Sequence, residues 1–326
     1  MLRKLQTPLA LLILLVSGLP LRAADTALDA IAEEASLVIR IKKPKASIEK
    51  VAELVDQIVP GMGDQLRQQS EGVGAAISNP TMAGVDMESD WYVAMFTDDD
   101  PADKSGSDEP AFLFIVPATD LAAMKEALGD SFKFMEHGKL GVYTSDEATA
   151  KATAARLKGE GKSISTRIDK DSSTLFDSGD VSVFINVRQL IIDYKDEIAA
   201  FKEDARQKIE NLPAAAAGAP GGINTEQLSQ IANHILKFVS DGLDDTQSCT
   251  VAAVVSKEGV SFEDLVKLKA GSATDKTLAK SPAGTLAGLT SLPAGHLAYF
   301  GLTWNMSDFA TLSQQLTGLG GSGLKP

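Results

Sequence analysis

The densest group of chemically capable side chains runs from Asp98 to Glu109, where Asp98, Asp100, Asp103, Asp108 and Glu109 stand within one polar stretch. Clustered carboxylate oxygens are the ligands that a hard cation such as Ca²⁺ prefers. A helix–loop–helix calcium register started at Asp98 fails, because its fifth and sixth positions are Ala102 and Asp103 rather than a ligand and a glycine. Asp103-Lys104-Ser105-Gly106-Ser107 matches a DxSxS metal pattern, but Pro110 and an apolar run follow it where that pattern has a helix. The stretch is read as a solvated loop between strands, with a weak Ca²⁺ site as the alternative; no other cofactor is expected.

Gly159-Glu160-Gly161-Lys162-Ser163 ends like a phosphate-binding loop, yet the required leading glycine is Arg156, and an Ala-rich helical stretch precedes it instead of a strand. It is read as a glycine-rich turn. The three histidines, His137, His234 and His296, are scattered, with no metal-ligand spacing and no HExxH motif. There is no GxSxG elbow for a nucleophilic serine. A Ser-His-Asp triad assembled from distant positions leaves an exported hydrolase as the alternative to the favoured reading, a non-enzymatic binding or interaction protein. No catalytic or cofactor-binding residue is assigned.

These candidates sit on a chain built for export. Arg3 and Lys4 precede the apolar core Leu9–Val16, Gly18 and Pro20 interrupt it, and Ala23-Ala24 supplies a small-residue cleavage site. That is the layout of a signal peptide over residues 1–24. Its apolar core is shorter than the roughly 20 residues a bilayer span needs, and no later segment is apolar enough to cross. The expected location is therefore periplasmic or extracellular, with no membrane span after cleavage.

The leader carries three basic residues, Arg3, Lys4 and Arg22, and no acid, so its removal takes the formal net charge from −13 to −16. Such a surface repels phosphate backbones and anionic lipid headgroups, which argues against nucleic acid and leaves room for a protein partner, with the oligomeric state open. The single cysteine, Cys249, excludes an internal disulfide; its apolar strand context reads as a buried, inert thiol. Trp91 and Trp304 both lie in or beside apolar strand-like runs and read as core residues.

The periodicity predicts alternating strands and helices. SLVIRIK forms a strand, followed by a helix carrying Ile48, Val51, Ala52, Val55, Ile58 and Val59 on one face and a second helical piece through Leu66 toward Ala76. Trp91–Thr97 and Phe112–Val116 are strands, and Leu121, Met124 and Leu128 mark a helix with Thr119 as its cap. Phe132–Met135 and Leu140–Tyr143 flank a turn at His137-Gly138 as a hairpin. A helix over Asp146–Leu157 comes next, and Gly159–Asp180 reads as irregular.

Val181–Ile185 opens a further unit, with Asn186 capping a helix that bears Leu190, Ile191, Tyr194, Ile198 and Phe201. A flexible connector spans 213–224, another helix starts at Thr225, and Gln247–Val255 and Val260–Leu268 form a hairpin about Lys257-Glu258-Gly259. His296–Thr303 is a last strand before a short helix with Phe309, Leu312 and Leu316. The expected fold is α+β: repeated strand–helix units forming antiparallel or mixed sheets with helices packed on one face. The expected divisions are a first unit at 25–160, a linker at 161–180, a second unit at 181–280, and the start of a further unit or a C-terminal strand–helix at 290–326.

Ala35–Val55, the Trp-led strand Trp91–Thr97, Gly141–Ala148, Val181–Leu190 and Leu292–Trp304 together resemble the uncharacterised secreted proteins of planctomycete-type bacteria. The resemblance covers most of the chain beyond the leader and implies export and an α+β fold. It transfers no activity and no site residue.

Overall fold

The computed structural model describes residues 27–69, 72–97, 110–211 and 225–280. The leader, the acidic stretch 98–109, the connector and the C-terminal strand and helix expected beyond residue 280 lie outside these residues. The architecture is α+β. The helices are α1 (Ala27–Ala30), α2 (Pro44–Ile58), α3 (Met62–Gln69), α4 (Val73–Ala76), α5 (Leu121–Leu128), α6 (Glu147–Leu157), α7 (Lys170–Ser178), α8 (Val187–Asp193), α9 (Lys195–Glu210), α10 (Thr225–Asp245) and α11 (Ala273–Ala279). The strands are β1 (Leu37–Ile41), β2 (Trp91–Phe96), β3 (Ala111–Pro117), β4 (Lys133–His137), β5 (Leu140–Thr144), β6 (Val181–Ile185), β7 (Thr246–Ser256) and β8 (Gly259–Leu268). One order recurs: a strand, a run of helices, two strands and a short helix, first from β1 to α5 and again from β6 to α11.

The strands form one sheet in the order β4-β5-β3-β2-β1-β6-β7-β8. The pairings whose registers are resolved are antiparallel. By contact density the chain divides into two compact units, 1–189 with 249–265, and 190–248 with 266–326.

In the first unit, β-branched and aromatic side chains on alternating positions produce two distinct sheet faces. Val38, Ala94, Leu113, Ile115, Val142 and Phe184 point to one face and are sealed by Ala30 and Ile31 of α1 and its end, Ile164, and Phe176 of α7. On the opposite face, at the β3–β5 end, Trp91, Val116 and Tyr143 form a second cluster with Ile77 after α4 and Met124 and Leu128 of α5. Tyr143 is its centre: its ring lies 5.3 Å from Phe114, 5.7 Å from Phe132 and 6.3 Å from Phe134, and its hydroxyl donates to the Ile77 carbonyl at 2.7 Å.

Three local expectations change. The stretch 159–180, expected to be irregular and partly a linker, carries the helix α7, whose amphipathic spacing is short and polar enough to look like a loop. Asp169 caps it by accepting from the Ser172 amide at 2.9 Å, and Phe176 and Ile164 enter the core. The cap of α5 is Asp120, not Thr119: its carboxylate accepts from the amides of Ala122 and Ala123 at 3.0 and 3.1 Å, reach that a carboxylate one residue closer supplies better. On α2 the buried positions are Pro44, Ser47 and Ala52, whereas Ile58 is 67% exposed. Asn186 does cap the chain entering α8, accepting from the Gln189 amide at 3.3 Å, while its amide nitrogen donates to the carbonyls of Glu33 and Ala35.

Candidate functional site

The sheet face opposite the sealed one supplies the candidate site. Register across β2, β1, β6 and β7 aligns three rows of side chains. They are Met95–Leu37–Ile185–Cys249, Val93–Ile39–Val183–Val251, and Trp91–Ile41–Val181–Ala253. Every member is apolar or the weakly polar cysteine. In β1 the burial alternates strictly: Val38 and Arg40 are buried, while Leu37, Ile39 and Ile41 are half-buried. The same alternation holds in β6, where Ser182 and Phe184 are buried, Val183 and Ile185 are half-buried and Val181 is exposed. Phe112, opposite Met95 on β3, is also exposed, at 42%.

A half-buried antiparallel strand ordinarily alternates apolar inward with polar outward. Here the outward set is apolar throughout, whereas the inward set mixes Val38, Ala94 and Phe184 with Arg40, Ser182 and Thr250, so the outward face is the more uniformly apolar of the two. Of the outward side chains Trp91 has a strong hydrogen-bonding group, and its indole nitrogen is already committed, donating to the Asp86 carbonyl at 2.8 Å. The face offers dispersion and desolvation, with no acid, base or nucleophile of ordinary strength.

Cys249 is the one reactive atom on it. The structure makes it half-buried, where the sequence reading had it buried. Burial, with the Asp264 carboxylate adding to it, pushes its thiol pKa up, so the unreactive thiol form dominates at neutral pH.

The edge of the sealed face is fixed by ionic groups. Arg40, 5% exposed, donates from Nε and Nη2 to Asp90 Oδ2 at 3.0 and 2.6 Å, and from Nη1 to the carbonyls of Phe176 and Asp177 at 3.1 Å each. Asp180 accepts from Lys50 Nζ at 2.6 Å and from the Val255 amide at 2.8 Å. These contacts bind α2 and α7 to the ends of β1, β6 and β7. Tyr92 stands beside Arg40; burial raises its phenol pKa, and the neighbouring guanidinium works against that shift.

A cavity of about 630 Å³ opens beside α7, lined among others by Leu28, Asp29, Tyr92, Ser165, Asp169 and Asp177. Its polar groups serve one another and the helix: Ser165 donates to Asp29 at 3.0 Å, Ser163 and Ser165 share a hydrogen bond, and Asp169 is the α7 cap. The sequence pointed to none of these residues, because they come from three separated segments.

The sequence candidates are dispersed. Asp98, Asp100, Asp103, Asp108 and Glu109 lie outside the described residues, as do His296 and Trp304. His137 closes β4, and His234 is exposed on α10. Gly159 and Gly161 hold positive φ in a turn after α6, where Arg156 donates to the carbonyls of Glu160 and Gly161 and Lys162 lies 3.9 Å from Glu33. Among the described residues no three His, Cys, Asp or Glu side chains are grouped to hold a metal, and no helix is long and apolar enough to cross a membrane.

No family model matches the chain, and no curated protein matches it. One solved structure, crystal form III of TP0453, is similar to it with a TM-score of 0.33 and 8% identity, over 78% of this chain and 84% of that one. A likeness at that level leaves the reading to the residues themselves.

Proposed function

We propose that the protein is an exported, non-enzymatic binding protein of the bacterial cell envelope and that the apolar face of its central sheet is the binding element. The observation that carries this is the apolar face formed by Met95 and Val93 of β2 with the outward side chains of β1, β6 and β7, which stays half-open beside the cluster that buries Trp91, while the other face is sealed. Contiguous apolar surface beyond what the core needs marks interaction sites. The N-terminal layout of residues 1–24 supports export, and the acidic balance favours a partner that is not a nucleic acid.

The test places a photo-crosslinking amino acid at Val181, exposed on this face, and in parallel at Lys257 in the β7–β8 turn. The protein is expressed in its own host, illuminated and recovered from the periplasm or medium. A discrete adduct at Val181 and none at Lys257 is expected. No adduct at Val181, or the same adduct at both sites, refutes the sheet face as the binding element. Sequencing the N-terminus of the recovered protein reads cleavage at Ala23-Ala24 directly.

A further inference from the structure

We draw no further inference here: the strongest candidate, the cavity of about 630 Å³ beside α7 that Asp29, Asp169 and Asp177 help to line, offers an acidic cluster whose Asp169 caps the helix and whose Asp29 accepts from Ser165, and nothing in the structure shows what ligand would enter it.

Discussion

Arg40 and Asp90 meet through two hydrogen bonds to one carboxylate oxygen, 2.6 and 3.0 Å long, at the end of β1, with the arginine side chain 6% and the aspartate side chain 25% exposed. Asp90 Oδ1 also accepts from the Lys43 amide at 3.1 Å, where the backbone turns through φ 39° to enter α2. One carboxylate therefore holds a buried cation and an unfavourable backbone turn together.

Asp90→Ala leaves the guanidinium of Arg40 without its charged partner, and removing one member of a largely buried pair costs about 3 kcal/mol. Urea denaturation should show the midpoint falling with an unchanged slope. Asp90→Asn keeps the Lys43 contact and should lose less.

Tyr143→Phe removes a hydroxyl whose partner, the Ile77 carbonyl, stays buried, at a cost of about 1–2 kcal/mol. Tyr143→Ala also empties the space among three phenylalanine rings and should cost about 3–5 kcal/mol. Thermal melts of the two variants separate the terms.

Burial raises the Tyr143 phenol pKa above its ordinary value of 10.0. The unfolded chain then gives up this proton at lower pH than the folded one. The contribution to stability is complete below pH 10 and falls as pH rises beyond it. Denaturation midpoints measured from pH 8 to 11.5 should decline more steeply in the parent than in Tyr143→Phe, with tyrosinate absorbance near 295 nm reporting the ionisation.

Cys249 should react slowly with a thiol reagent such as Ellman's at pH 8 and rapidly once the protein is unfolded in guanidinium. Asp264 contributes to the raised thiol pKa, so Asp264→Asn should accelerate labelling of the folded protein. Equal rates in the two folded proteins would exclude the electrostatic contribution.

The two faces of β6 should differ in what they cost to empty. Phe184→Ala opens a cavity in the sealed core and should lose about 3–5 kcal/mol, whereas Val183→Ala, on the half-open face, should lose about 1 kcal/mol. Similar losses at both positions would mean that the half-open face is packed as tightly as the other.

Most of the elements were legible because their cues are local. The alternation in Leu37–Ile41 and Val181–Ile185, the Lys257-Glu258-Gly259 turn and the acidic start of α6 all sit inside short windows. Helix α7 was missed because Lys170–Ser178 exposes most of its polar side chains and commits Phe176 and Ser172 to the core, too little to register as a period. The candidate site was illegible for a different reason. Strand patterns showed that Ile39, Val93, Val183 and Val251 were apolar, but only pairing between segments far apart in the chain puts them in one row. Which stretches of each sheet face receive helices is decided by tertiary contacts and has no local cue.

β1 lies in the interior of the sheet, between β2 and β6, although it is the first strand among the described residues. Its pairing of Leu37 with Ile185 cannot form until nearly all of the first unit has been made. A ribosome delivers the chain N-terminus first, so β1 must wait with one hydrogen-bonding edge and the Leu37, Ile39 and Ile41 face open to whatever else is in solution. Closing such a distant pair has an entropic barrier that slows folding. The nascent chain thus passes through an interval in which an apolar strand face is a target for chaperones and for aggregation. Refolding of the intact protein should be rate-limited at this central seam rather than at the β4–β5 hairpin.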